Sequence, residues 1–336
     1  MPLRRALRWS IVLLAVAAFA AVACLRWYLE RPLPLPSTPY AIEVASGATL
    51  SGVARDLAAA GVIPHPAVLV ALARWRGADR SIKAGNYELA QGITLPALLA
   101  KLTQGDVTQV ALTIGEGTTL RDLRAALAAR RDIAREVAAL PDADWPARLG
   151  IDAPHPEGQF FPDTYFFAAG TTDTTILRRA HRLLRERLDA AWAARAQGLP
   201  LASPYEALIL ASIVEKETGR PADRPLVASV FVNRLRIGMR LQTDPTVIYG
   251  LGASFDGDLR RRDLDADGPY NTYTRAGLPP TPIAFASQAS IEAVLDPPAT
   301  DYLYFVARGD GTSEFSTTLA DHNRAVARFQ LKRGVR

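Results

Sequence analysis

Two carboxylates close a long apolar run. In Ala211-Ser-Ile-Val-Glu215-Lys216-Glu217-Thr218 the acids stand two apart, which on a helix turns them to nearly opposite sides. Counting back by three, four and seven, Glu217 lies over Val214, Ile213 and Leu210, whereas Glu215 lies over Ser212, Ala211 and Leu208. The bulkier apolar surroundings of Glu217 and its place at the negative end of the helix dipole both favour the protonated acid. A glutamate that keeps its proton near neutral pH is what a general acid requires. On this stretch alone, a helix ending in solvated Glu-Lys-Glu, with Lys216 as partner charge, is an equally good reading.

Other polar residues gather in short motifs. Gln242, Thr243 and Asp244 precede Pro245 at an expected strand-to-helix junction, where Asp244 also suits a cap. Asn271 and Tyr273 stand two apart, so an extended segment puts both on one face. Glu157 and Asp163 bracket Phe160-Phe161-Pro162, a turn-rich apolar loop. His322 and Asn323 open the expected last helix, where capping is the simpler role. One cysteine and four scattered histidines exclude a disulfide framework and argue against a zinc site, so no metal is expected.

The elements that must position these groups are well punctuated. Ser203-Pro204-Tyr-Glu206 predicts a capping box with Pro at the first helical position, opening a helix that runs to about Thr218 with Gly219 as its stop. Residues 207–214 are apolar almost all round, so this helix is expected to be buried on most sides. Leu177 to Gly198 is Arg- and Ala-rich and helical by period, with its arginines on a solvated face. Nearer the N-terminus a pattern repeats three times around Thr49, Thr94 and Thr119: an apolar stretch, a Gly, then a Thr followed by Leu or Val at helical spacing. Each predicts a strand, a capped turn and an amphipathic helix. Such small units are similar to LysM-type modules that hold polysaccharide backbones.

The N-terminus carries Arg4, Arg5 and Arg8 ahead of an apolar run from Ser10 to Leu25, with Trp9 and Trp27 at its ends. That pattern predicts one membrane anchor at the short end of spanning length, with Met1 cytoplasmic and everything after Trp27 exported. A cleaved signal peptide, using Ala21-Val22-Ala23, and lipid attachment at Cys24 are the alternatives. The Pro-rich stretch Arg31 to Pro39 cannot continue the helix and is expected to be an extended spacer. The length of 336 residues and 49% hydrophobic content exclude a mainly disordered chain. Basic residues outnumber acidic ones 39 to 34, but they are scattered, so nucleic acid is not an expected partner.

Glu157-Gly-Gln-Phe-Phe-Pro-Asp163-Thr-Tyr165, Ala211 to Thr218, Val230 to Gly250, Tyr270-Asn271-Thr-Tyr273-Thr274, Gly277-Leu-Pro-Pro280 and Tyr302 to Val306 together resemble the endolytic murein transglycosylase family, the YceG-like proteins. The resemblance spans almost the whole chain. It implies a periplasmic lyase that cuts nascent peptidoglycan strands internally, between N-acetylmuramic acid and N-acetylglucosamine, leaving 1,6-anhydro ends. In that family the catalytic acid is the Glu before Thr in Glu-Lys-Glu-Thr, which here is Glu217. Gln242, Asp244, Asn271, Tyr273 and Glu157 are then expected to line the substrate cleft, with Asn271 and Tyr273 holding an N-acetyl group and a sugar ring.

One carboxyl group suffices for such a reaction, because the muramyl C6 hydroxyl replaces the second carboxylate or water of an ordinary glycosidase. The expected fold class is α+β: a cytoplasmic N-terminus (1–9), a transmembrane helix (10–26), a Pro-rich linker (27–40), a small LysM-like α/β module (41–112) and a mixed α+β catalytic domain (113–336). No cofactor is expected. The implied partners are peptidoglycan glycan strands, peptidoglycan synthases (penicillin-binding proteins) and the elongation or division machinery, at the inner membrane. The rivals are a non-catalytic peptidoglycan-binding scaffold and a pyridoxal-phosphate lyase using Lys216. Against the lyase stand the export signal and the lack of a glycine-rich phosphate cradle before a helix.

Overall fold

Three threonines start three helices in the same way. Thr49, Thr94 and Thr119 are extended residues whose hydroxyls accept the N–H of Gly52 (3.2 Å), Ala97 (3.4 Å) and Asp122 (3.3 Å). Each satisfies an amide that the first helical turn leaves without a partner. All three strand-cap-helix expectations are met: β1 (Tyr40–Val44) leads to α2 (Leu50–Ala59), β2 (Gly85–Leu89) to α4 (Leu95–Gln104), and β3 (Gln109–Ile114) to α5 (Leu120–Ala128).

The computed structural model describes residues 2–45, 47–105 and 109–330, and no side chains at 2–12, 15, 43, 86 or 109. The chain divides into two compact units, Met1–Val110 with Phe167–Gly170, and Ala111–Phe166 with Thr171–Arg336. The first holds α1 (Pro2–Glu30), then β1, α2, α3 (Pro66–Trp75), β2 and α4. β1 and β2 pair antiparallel from Tyr40 opposite Leu89 to Val44 opposite Gly85. Their inner residues Val44, Tyr87 and Leu89 bury against Leu50, Val53 and Leu57 of α2, Leu69 of α3, and Leu98 and Leu102 of α4. The positions on α2 and α4 are the ones the period picked out.

The Pro-rich stretch is not a free spacer. Leu33 N–H donates to Ile93 O (2.8 Å), Pro32 bridges to Thr94, and Leu33 and Leu35 pack on the core of this unit. Two apolar side chains and one backbone bond hold down a segment whose prolines alone would leave it solvated. Among the described residues no helix is long and apolar enough to cross a membrane. The expected span 10–26 begins where side chains fall outside the described residues, as do those of Arg4, Arg5, Arg8 and Trp9.

The second unit is mainly helical with small sheets, a mixed α+β arrangement. After α5 come β4 (Ile133–Ala134), α6 (Trp145–Leu149), β5 (Asp163–Ala168), β6 (Thr171–Thr172), α7 (Asp173–Ala193), α8 (Pro204–Glu217), α9 (Arg224–Arg236), α10 (Asp244–Leu251), α11 (Arg261–Asp265), α12 (Gln288–Leu295), β7 (Tyr304–Ala307), β8 (Ser313–Ser316) and α13 (Leu319–Phe329). β3 pairs with β5, β4 with β6 in parallel, and β7 with β8 antiparallel. Helix α8 is buried from Ala207 to Val214, against α7, α9 and α12. Leu210, Ile213, Val214, Phe231, Ile291 and Val294 form the centre of that core. An apolar helix surrounded by helices cannot shift without opening a cavity, at about 2–5 kcal/mol for each large side chain truncated. The scaffold that carries Glu217 is therefore stiff.

Candidate active site

Helix α8 begins as its sequence dictates. Ser203 caps it through Glu206 N–H (3.2 Å), Pro204 occupies the first turn, and the Glu206 carboxylate reaches back to Ala202 N–H (2.6 Å), one residue beyond the expected box partner. The helix ends at Glu217, where Thr218 turns to extended backbone, so Thr218 and not Gly219 is the stop. Its two terminal carboxylates have opposite fates.

The Glu215 carboxylate is almost fully enclosed. Oε2 accepts from Ser287 N–H (3.0 Å), the Ser287 hydroxyl (2.5 Å) and the Ser290 hydroxyl (2.6 Å), while Arg224 stands 3.6 Å from Oε1. Glu215 thus rivets the end of α8 to the start of α12. Glu217 faces the other way, into a cleft of about 570 Å³ that Arg234, Gln242, Asp244, Tyr273, Tyr304 and His322 also line. Burial pushes its carboxyl above the usual range; the Thr243 hydroxyl pulls it down, Asp244 pushes it up, and Arg234 pulls it down. Desolvation outweighs both stabilising groups, so the neutral acid is favoured more than it is for a glutamate in water.

Thr243 is the partner that position and spacing did not single out. Its hydroxyl donates to Oε1 of Glu217, and its own backbone is fixed in turn. Thr243 N–H donates to the Thr272 hydroxyl (3.0 Å), the Thr246 hydroxyl donates to Thr243 O (2.8 Å), and the Thr246 and Thr272 hydroxyls lie 2.9 Å apart. Just before it, Gln242 adopts φ 47°, a left-handed backbone that a side chain with a Cβ rarely takes. Such strain is held by surrounding bonds, here Gln242 N–H to Thr272 O at 3.1 Å. A threonine within Gln-Thr-Asp was visible in the sequence, but its partner lies 26 residues away, beyond the whole of α9.

The other expected site residues divide. Asp244 is the first residue of α10 and not its cap; it accepts the Tyr273 hydroxyl (2.5 Å) at the cleft edge. The segment before it is a loop between α9 and α10, not a strand. Asn271 is 5% exposed and its amide is spent on backbone: it donates to Asp263 O, Leu264 O and Ala266 O, and accepts from Tyr273 N–H (2.9 Å). It braces the loop that presents Thr272 and Tyr273 and does not line the cleft. The pairing of Asn271 with Tyr273 on one face fails because this segment is a run of turns. Thr318, accepting Asp321 N–H (3.1 Å), caps the last helix, so His322 is no cap; it stacks on Tyr304 with ring centres 5.2 Å apart. Arg234, gripped by Leu303 O (2.7 Å) and Leu241 O (2.5 Å), lies over the other aromatic of this wall, Tyr304. Arg234 and Tyr304 fall inside stretches that carry the family resemblance but had no role assigned from sequence, and His322 was read only as a cap.

Glu157 opens into a different cleft, of about 720 Å³, between α5 and α10. It is 2% exposed, accepts from Leu120 N–H (3.0 and 3.1 Å to its two oxygens) and from the Tyr249 hydroxyl (3.0 Å), and burial pushes it up to about 7. Gly158 beside it lies so close to the Pro282 ring that no side chain fits, and its positive φ of 76° suits glycine. Phe160 is core, packed between Trp145 and Phe285, so the loop it belongs to walls no subsite at that position.

A carboxyl whose pKa is raised by burial, at the end of a buried helix and hydrogen-bonded by a threonine in a polar and aromatic cleft, is the candidate site of this mixed α+β protein. The chain belongs to the YceG-like family, whose profile matches residues 42–328. It is 35% identical over 306 residues to the endolytic murein transglycosylase of Bacillus subtilis (strain 168), covering 86% of this chain and 84% of that one. It is 27% identical over 360 residues to the endolytic murein transglycosylase of Streptococcus pneumoniae serotype 2, covering 94% of this chain and 64% of that one. The crystal structure of a putative YceG-like protein from Listeria monocytogenes superposes with a TM-score of 0.54 at 30% identity, over 85% of this chain and 99% of that one.

Proposed function

We propose that this protein is an endolytic peptidoglycan transglycosylase, a lyase that cuts between N-acetylmuramic acid and N-acetylglucosamine and so ends strand growth. The observation that carries the mechanism is the Glu217 carboxyl inside its cleft, whose pKa burial raises above the ordinary glutamate value. Glu217 donates its proton to the glycosidic oxygen as the C1–O bond breaks. The muramyl C6 hydroxyl bonds to C1, and its proton passes to the Glu217 carboxylate, restoring the acid. Attack from within the same sugar gains the orientation that a bound water lacks.

Asp244 is the second carboxylate lining the cleft. A pair of acids could also serve hydrolysis, but Asp244 is tied to the Tyr273 hydroxyl, and its charge acts to hold the proton on Glu217. The two outcomes differ in product. Purified protein and uncrosslinked glycan, followed by mass analysis of new ends, should give 1,6-anhydromuramyl ends one water lighter than reducing ends, and Glu217→Gln should abolish them. Reducing ends, or anhydro ends from the Glu217→Gln protein, would overturn the assignment.

The setting is part of the same proposal. Helix α1 runs 29 residues, ~43 Å at 1.5 Å per residue, and Leu13, Leu14, Val16, Phe19, Val22 and Leu25 are exposed on it. Exposed apolar side chains on a long helix support one membrane anchor over 10–26, with the body in the periplasm. The strand-helix-helix-strand unit of β1, α2, α3 and β2, with its own core, supports a LysM-like module. Peptidoglycan synthases and the elongation or division machinery are the partners that a nascent-strand substrate implies.

A further inference from the structure

Lys216 and Glu217 are neighbours in the chain, yet Lys216 lines the α5–α10 cleft and Glu217 lines the acid's cleft. The same division recurs at the start of α10, where Pro245 belongs to the first and Asp244 to the second. The two clefts therefore abut on either side of one ridge, made from the end of α8 and the start of α10. An enzyme that cuts within a polymer must hold sugars on both sides of the broken bond, and a strand seated at Glu217 must continue beyond it.

We propose that the cleft lined by Glu157, Lys216, Tyr249, Phe255 and Tyr270 is a distal subsite for the glycan backbone of the same strand. This rests on the transglycosylase reading and extends it. At about 720 Å³ the cleft is of ligand-binding size. Its aromatic wall is half-buried: Tyr249 and Tyr270 meet edge to face at 4.9 Å, with Phe255 beside them. Glu157 sets the wall spacing, since it ties the first turn of α5 to Tyr249 of α10.

The charge pattern favours sugar over the peptide stems. The cations are already answered: Lys216 donates to Gly117 O (3.1 Å), and Arg121 and Lys216 both act on the Asp122 carboxylate. A cleft with balanced charges and aromatic faces suits a neutral backbone rich in hydroxyl and acetamido groups. Among the described residues that line it, Arg121 and Lys216 both already face the Asp122 carboxylate.

The test uses full-length Glu217→Gln protein, which holds substrate without cutting it, and peptide-free N-acetylglucosamine–N-acetylmuramic acid oligomers of two and of eight sugars. Calorimetry should show the octamer binding at least about tenfold more tightly than the dimer. Adding Phe255→Ala, at a half-buried position, or Lys216→Met, at an exposed one, should erase most of that gain while the thermal midpoint stays put. Equal affinity for the two lengths, or a length gain untouched by both substitutions, overturns the distal subsite. So does a length gain seen only with peptide-bearing oligomers. The cleavage assay on the unsubstituted enzyme reports separately on the transglycosylase reading, so either can fail alone.

Discussion

The hydroxyl of Thr243 donates to Oε1 of Glu217, and Oε2 has no protein partner among the described residues. One oxygen is thus held by the protein while the other is left for a glycosidic oxygen. Thr243→Val should lower kcat by roughly 100-fold, the lower end of what losing one preorganised donor at a reacting group costs. The hydroxyl also lowers the Glu217 pKa, so its loss should move the alkaline limb of the pH–rate profile to higher pH. A pH series of initial rates on uncrosslinked glycan checks both.

Asp244 acts with the opposite sign. Its negative charge favours the proton on Glu217, so Asp244→Asn should move the same alkaline limb to lower pH. If the two substitutions shift the limb in one direction, Glu217 is not the group that titrates.

Glu215 is a structural anchor, and its replacement should be felt in stability first. Glu215→Ala strands Arg224 without its carboxylate and strips three hydrogen bonds from the start of α12. Breaking a buried pair in this way costs about 3 kcal/mol. Glu215→Gln, which keeps an acceptor for the serines, should lose less and retain some cleavage. Urea unfolding of both variants, with activity measured well below the transition, tests the order.

Glu157 links stability to pH. Its folded value of about 7 lies above the ordinary glutamate value of 4.5, so its stabilising contribution is complete below about 4.5 and is lost as pH rises through 7. The shift is worth at most on the order of 3 kcal/mol. Unfolding free energy should therefore fall between pH 5 and pH 8, and Glu157→Gln should flatten that fall. A slope identical in the two proteins would mean that the carboxyl is ionised throughout.

Much of this architecture is local and was legible in the chain itself. Each threonine cap is a bond over three residues, and the burial of α8 follows from an apolar surface that water cannot solvate. Even the preference for Glu217 over Glu215 followed from counting helical turns, since a residue three or four back is a neighbour wherever the helix goes. That count correctly sent the two acids to opposite sides, but it could not show what waited there. The serines at 287 and 290, which turn Glu215 into a rivet, are more than 70 residues distant.

Long-range closure alone decided the rest. Asn271 and Tyr273 share a motif, yet a run of turns buries one as a brace and leaves the other at the cleft. Glu157 reads as a companion of Glu217, but the fold sends it to a separate cleft behind the ridge of α8 and α10. Thr243, Arg234 and Tyr304 meet Glu217 only because α9, the loop after it and β7 converge on the end of α8. Periodicity fixes which face a side chain takes on its own element, while the identity of the opposing face depends on packing between elements that no local pattern encodes.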